Sequence, residues 1–335
     1  MERLELEACD EIIVTTLVEN TIDAFMPDQG AAQRFRDGTA VGNRVSRLME
    51  GGFVNEHPRS EHGFAALVSV AAGDRRHTIL FDAGRTPDGL AHNIRCFGIE
   101  PRDIEAIVVS HGHFDHATGL DGLSDMLRRS GLPILIHPDF WHRRRLLLPG
   151  REPWELPTTS RNALLEAGFD VIDNAQPSFV LDGLALVTGE IDRTTDFEPG
   201  FPFQEAWRAD HWEADPLVLD DQALILSLGD RGLVVFTGCG HAGIVNTLRH
   251  AQRITGIDRI HAVMGGLHLN GPLYEALIPQ TCAALHEFAP AMIAPGHCTG
   301  WRALHRFGIE FPDVFVPNAV GTRYVLRAED SAPGR

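Results

Sequence analysis

Residues 110–120 read SHGHFDHATGL, which puts His111, His113, Asp115 and His116 within six consecutive positions. Imidazole nitrogens and a carboxylate are donors that zinc, iron and manganese accept. Residues i and i+2 at the mouth of a strand project to one side, so His111 and His113 can grip one ion. Asp115 and His116, where the chain turns towards a helix, can face a second ion a few ångströms away. The expected cofactors are therefore two divalent ions, zinc first, with manganese or iron as the alternatives. A metal ion brings the pKa of bound water from ~15.7 towards ~7, and a second ion can hold the substrate's oxygen. The chemistry expected is hydrolysis of a small molecule by metal-bound hydroxide, with Asp115 orienting that nucleophile as well as binding metal.

One short motif cannot fill two coordination shells. TGCGHAGIVN places Cys239 and His241 in a Gly-rich turn, MGGLHLN places His268 after two glycines, and APGHCTG places His297 and Cys298 after Pro295 and Gly296. All three follow apolar runs that read as strands, so they can converge on one sheet edge. His241 and His297 are the candidates to close the shells. His268 is a catalytic candidate that either binds metal or touches substrate. His57, His77, His142, His250 and His305 have no such setting and read as ordinary surface or hydrogen-bonded histidines.

These residues need strands to deliver them. EIIVTTLVEN, AALVSVAAG and HTILFDAG read as consecutive strands, TPDGLAHNIRCFGI as a helix, and IEAIVVS as the strand that ends in the motif. LPILIHP, LALVTGEI, ALILSLG, GLVVFTGC, IHAVMGG and AMIAPGH read as further strands, with helices at GIVNTLRHAQRIT and LYEALIPQTCAALHEFA. Strand meanders followed by strand–helix alternation, twice over, predict two packed sheets with helices outside. Residues 140–160 and 196–216 break this rhythm, being rich in Pro, Trp and charge. They are expected to be long loops forming a lid, with Trp154, Trp207 and Trp212 offering flat surfaces to a ring-bearing ligand.

Bulk properties set the bounds. The chain has 335 residues, 44% of them hydrophobic, and no long polar tract, which fits one large domain over residues 1–335. No stretch approaches the ~20 apolar residues of a membrane span, and the acidic start MERLELEACDEIIV lacks the basic flank of a signal peptide. A cytoplasmic protein with no membrane partner is expected. Five scattered cysteines, Cys9, Cys96, Cys239, Cys282 and Cys298, suit reduced buried thiols and not a disulfide framework. Acids outnumber bases 46 to 29, for a formal net charge of −17, which argues against nucleic acid as partner. The one dense basic run, HRRRLLLPGR, reads as a solvated helix face. Association with further copies of the chain is left open.

H-x-H-x-D-H at His111, His113, Asp115 and His116 resembles the hallmark of the metallo-β-lactamase-fold superfamily. SEHGFAALV, ILFDAG, VVSHGHFDHATGL, VTGEI, DDQALIL, VVFTGCGHAGIVNT, AVMGGLHL and APGHCTG follow in the order of its dihydropteroate-synthase-like branch. That branch is typified by 7,8-dihydropterin-6-methyl-4-(β-D-ribofuranosyl)aminobenzene-5′-phosphate synthase. The resemblance implies an α+β fold, a four-layer αββα sandwich, with a dinuclear site at the edge of its sheets. It implies one ion on His111, His113 and His241 and another on Asp115, His116 and His297, with Asp82 supporting the metal-binding loop. Two departures stand out. Most hydrolases of this fold carry a bridging Asp in a GD turn where this chain has GC, so Cys239 is either a softer ligand or a wall of the turn. The chain also exceeds compact members through insertions near residues 30–56, 140–160 and 196–216. Besides hydrolysis, the resemblance allows a condensation in which the ions hold a phosphate leaving group on a pterin-like or ribosyl substrate. A metal-containing sensor of a small ligand, with little turnover, is the third reading.

Overall fold

The computed structural model describes residues 3–127 and 130–329. Glu11–Val18, Ala65–Ala72 and Arg75–Phe81 form an antiparallel meander, and in the first half of Glu11–Val18 alternate side chains are buried, as period-2 patterning requires. Ala106–Val108, Leu132–Ile136 and Phe169–Asp173 extend it in parallel, and Arg323–Arg327 and Ala32–Gln33 complete its other edge. The second sheet runs in the order Ser178–Val180, Ala185–Val187, Ala223–Leu228, Leu233–Thr237, Ile260–Gly266 and Met292–Gly296, with Ala8–Cys9 also paired to Ala223–Leu228.

Three buried clusters define four layers. Ile12, Val14, Phe81, Leu226, Phe236 and Met264 fill the space between the sheets. Ile244–Thr255, Ile278–Phe288 and Trp301–Glu310 cover the outer face of the second sheet, where Val245 and Phe307 meet Val235 and Ile293. Gly89–Cys96, Leu120–Met126 and Arg161–Glu166 cover the first, where Leu90, Leu120 and Leu164 meet Ile107 and Ile134. This is the αββα sandwich, of α+β class, that the motifs implied.

The topology explains why the site lies at one edge. Arg75–Phe81 and Ala106–Val108 are parallel, as are Leu233–Thr237, Ile260–Gly266 and Met292–Gly296. Parallel neighbours end on the same side, so the turns after all five strands open at one rim.

Two expectations need correcting. The segments 140–160 and 196–216 are not simply loops, because they pair with each other. Trp154–Glu155, Arg144–Leu146, Gln204–Arg208 and His211–Ala214 make a four-stranded antiparallel sheet. Nor is the basic run a solvated helix face. Arg144–Leu146 is a strand, and Arg144 is 1% exposed, its guanidinium paired with Asp220 and Asp215. Composition showed the charges of this run but not the buried carboxylates that draw one of them inward. In the first insertion, Asn43–Val45 pairs with Phe53–Asn55 in a two-stranded ribbon whose six residues are all exposed.

Candidate metal centre

Asp82 organises the site. It follows the strand Arg75–Phe81 with φ of 60°, a left-handed conformation that Asp tolerates better than most residues. Its carboxylate accepts hydrogen bonds from Ser110 N at 2.7 Å and Ser110 Oγ at 2.8 Å, and from His116 Nδ1 at 2.7 Å. With Nδ1 engaged, His116 turns Nε2 to Cys239 Sγ, 3.2 Å away. Gly238 is needed beside this node, since a Cβ there would collide with Ser110 Oγ and Asp82 Oδ2.

His111, His113 and His241 form the first half of the donor set. His113 Nδ1 lies 3.0 Å from His111 Nε2 and 3.2 Å from His241 Nε2. The outer nitrogens of His111 and His113 have partners that fix which way their lone pairs point. Gln204 donates its amide to Asp215 Oδ2 at 2.9 Å, so its Oε1 faces His113 and accepts from His113 Nε2. Ser110 Oγ, already donating to Asp82, is left to accept from His111 Nδ1 at 2.9 Å. Carboxylate and amide partners of this kind hold a ligating imidazole in one tautomer.

The second half gathers His116, Cys239, His297 and Asp115. Cys239 Sγ lies 3.2 Å from His116 Nε2 and 3.3 Å from His297 Nε2, and His297 Nε2 is 3.7 Å from Asp115 Oδ2. Cys239 also has ligand atoms of His111 and His116, and separately of His241 and His268, within 4.8 Å, which puts the thiol between the two halves. The GC turn therefore presents sulfur to both groups of imidazoles.

The electrostatics favour lone pairs over protons. Burial pushes His111 and His241 well below the ordinary imidazole value and takes His113 and His297 to about 4. His116 is the exception: burial opposes its charge, but the Asp82 carboxylate outweighs it and raises the group to about 9. Burial would raise Asp115, yet His116 and His297 hold its carboxyl down to about 2. Neutral imidazoles crowded nitrogen to nitrogen, beside a thiol and an ionised carboxylate, form a donor set that fits divalent cations. Nitrogen and oxygen donors suit zinc, manganese or iron, and thiolate sulfur is also a zinc ligand.

A buried polar layer holds the motif from below. Asp220 accepts from Gly112 N at 2.7 Å and pairs with Arg144, while Asp221 accepts from Ala242 N at 2.7 Å and has Oδ1 3.9 Å from His111 Nδ1. A side chain at Gly112 would strike Arg144 and the Phe140 carbonyl, so the H-G-H spacing requires glycine at that point. His297 has φ of 48° and donates its backbone N to Glu19 Oε1 at 2.7 Å; burial pushes the Glu19 carboxyl up to about 7.

All six residues expected to bind metal come together with Asp82 and Cys239. His268 stands beside them, its ring 4.3 Å from His241 and 4.6 Å from Tyr274, at φ of 45°. The three tryptophans divide. Trp154 is opposite Leu146, which is opposite Gln204, so it shares the inward face and packs on Phe114 with centroids 6.1 Å apart. Trp207 and Trp212 pair across the outer face at 5.2 Å, under Arg143 and Arg145, and do not roof the donors. Strand alternation puts Trp207, three residues after Gln204, on the opposite side. Phe201 takes the inner position instead, stacked on His241 at 5.2 Å. Sequence reasoning also missed Gln204, Arg144 and His62, whose Nε2 is 3.9 Å from Asp115 Oδ2. His62 lies in SEHGFAALV and Asp220 in DDQALIL, two quoted motifs to which no site residue was assigned.

Comparison with known proteins agrees with this geometry. The chain is 28% identical over 263 residues to 7,8-dihydropterin-6-methyl-4-(beta-D-ribofuranosyl)-aminobenzene-5'-phosphate synthase of Methanocaldococcus jannaschii, covering 76% of this chain and 87% of that protein. It is 31% identical over 120 residues to ribonuclease Z of Thermobifida fusca, covering 33% of this chain and 34% of the relative. The crystal structure of Tm1679, described as a metal-dependent hydrolase of the beta-lactamase superfamily, superposes with a TM-score of 0.68 at 23% identity, covering 94% of this chain and 99% of that one. The family model described as metallo-beta-lactamase superfamily matches residues 63–245, more than half of the chain and the stretch that runs from the EHG turn through the H-x-H-x-D-H motif to His241. On this agreement of motif, fold and donor geometry, the chain belongs to the metallo-beta-lactamase superfamily.

Proposed function

We propose that this chain is a metal-dependent hydrolase of a small molecule, with one divalent ion on His111, His113 and His241 and a second on Asp115, His116 and His297, Cys239 lying between them. The observation that carries the reading is the convergence of His111 Nε2 and His241 Nε2 on His113 Nδ1 at 3.0 and 3.2 Å, with Ser110 and Gln204 holding the outer nitrogens of His111 and His113. When bound, the ions would lower the pKa of water and polarise the substrate's oxygen.

The chain's own groups supply the rest. Asp115, kept ionised by its histidine neighbours, is placed to orient the attacking water through its carboxylate. His62, exposed on the solvent side of Asp115, is placed to return a proton to the leaving group. His268, Tyr274 and Phe201 wall one side of the donors and exclude water there. On the other side the Arg85 guanidinium lies 4.5 Å over Phe114, which packs on Trp154. A cation beside two aromatic faces suits a substrate with a flat ring and an anionic group such as phosphate, including a pterin-like compound. The net charge of −17 disfavours nucleic acid as substrate. No helix among the described residues is long and apolar enough to cross a membrane.

A second reading, condensation with loss of a phosphate or diphosphate group at the same centre, is favoured by the similarity to the M. jannaschii synthase. Metal-reconstituted protein assayed against phosphoesters, thioesters and lactones separates the two. Steady turnover of one class, abolished in His113→Ala, supports the hydrolase. Diphosphate release only when a second, acceptor substrate is added supports the synthase. No turnover with either leaves a metal-containing ligand sensor.

A further inference from the structure

We propose that Glu56, His92 and Cys96 form a separate structural site for one zinc ion, which clips residues 35–57, the greater part of the first insertion, to the body of the protein. His92 and Cys96 are i and i+4 on the helix Gly89–Cys96, so both side chains leave one face. His92 Nε2 lies 3.3 Å from Cys96 Sγ, 3.8 Å from Glu56 Oε2 and 2.8 Å from the His57 carbonyl oxygen. The three side-chain donor atoms all fall within 4.8 Å of one another. Donors on a tetrahedral zinc ion, with bonds of ~2.0–2.3 Å, sit about 3.3–3.8 Å apart, so the cluster needs little movement to close on an ion. Sulfur, imidazole and carboxylate are a zinc set, and the His57 carbonyl or a water supplies the fourth position. His92 and Cys96 are buried, whereas a quarter of the Glu56 side chain is exposed and leaves a route in.

The fold supplies the need for such a clip. No residue from 35 to 57 belongs to any of the three buried clusters. The ribbon of Asn43–Val45 and Phe53–Asn55 is exposed on both faces, and isolated two-stranded ribbons are marginal in water. Backbone bonds from Val41 N to Cys96 O at 2.7 Å and from Glu56 N to Gly42 O at 3.1 Å bring both ends of the insertion to the end of the helix that carries His92 and Cys96. A bound ion would tie Glu56 at the end of the ribbon to that helix. Segments without a core are commonly stabilised by a structural metal, because binding free energy becomes folding free energy. Burial, with Glu56 beside it, raises the Cys96 thiol, so binding releases the thiol proton to solvent and leaves His92 protonated on Nδ1.

The test is zinc per chain, by elemental analysis after dialysis against a competing chelator, for the wild type, Cys96→Ser and Glu56→Ala. The proposal expects Cys96→Ser to hold one zinc ion fewer than the wild type, and Glu56→Ala to lose that ion at a lower chelator concentration. Because the readout is a difference, zinc at the metal centre cancels, and failure of the hydrolase reading would not mimic failure here. Limited proteolysis should cut residues 41–55 faster in both variants than in the zinc-loaded wild type. Equal zinc retention in all three proteins, or cleavage of that segment in the wild type that ignores added zinc, overturns the proposal. Glu56 is at the rim, so its variant decides the matter even if Cys96→Ser fails to fold.

Discussion

Asp82 Oδ2 and His116 Nδ1 are 2.7 Å apart with both side chains fully buried, and the Asp82 carboxylate raises His116 to about 9 while burial lowers His111, His113, His241 and His297. Replacing the carboxylate by an amide removes its charge while keeping a residue that tolerates φ of 60°. Asp82→Asn should weaken metal binding at the His116 side by ~10–100-fold, the range for lost outer partners of metal-ligating histidines. Chelator competition measures it; unchanged affinity would show that Asp82 does not position His116.

Gln204 does the corresponding work for His113. Gln204→Leu removes the acceptor for His113 Nε2 and leaves Asp215 Oδ2 without its amide donor. Turnover should drop ~10–100-fold, with the loss in kcat and metal occupancy and little change in KM. A rise in KM alone would place Gln204 in substrate binding instead.

In the metal-free protein the histidines of the centre should contribute most to stability near pH 6.5. His113 and His297 have folded values of about 4 against an ordinary 6.5, so their contribution is complete above pH 6.5 and is lost as pH falls towards 4. His116, raised to about 9, contributes fully below pH 6.5 and loses that contribution as pH rises through 9. Chemical denaturation of chelator-treated protein from pH 4 to 9 checks this, and stability rising steadily towards pH 4 would contradict it.

Trp154 and Trp207 should behave differently despite similar sequence settings. Trp154→Ala removes the ring packed on Phe114 beside the donors and should raise KM severalfold for a ring-bearing substrate. Trp207→Ala, on the outer face of the same small sheet, should leave KM unchanged. Equal effects would mean that the sheet acts only as a scaffold.

The division between these tryptophans shows where sequence reading stopped. His111, His113, Asp115 and His116 were legible because four donors lie within six residues, and His241 and His297 because Gly-bounded turns follow strongly apolar strands. The two sheets and three of the helices, Gly89–Cys96, Ile244–Thr255 and Ile278–Phe288, were legible from the same periodicity. Gln204 was not, since it reaches His113 across 91 residues from a strand that composition disguised as a loop. Arg144 was hidden for a related reason: a buried cation looks like a solvated one until Asp215 and Asp220 are folded against it. Trp207 was misassigned because aromatic content marks a segment, whereas strand parity decides which face each ring occupies. Trp301–Glu310 and Arg323–Arg327, near the end of the chain, were passed over although Ala303 and Phe307 of that helix are fully buried.

The proposed centre holds two divalent ions on the imidazoles and Asp115, with Cys239 between them. Anomalous diffraction at the zinc edge from crystals grown with zinc locates them. Two strong peaks are expected within bonding distance of these side chains, one bounded by His111, His113 and His241 and the other by Asp115, His116 and His297, with Cys239 Sγ adjacent to both. Density at neither position in a crystal that otherwise retains this fold would contradict this assignment.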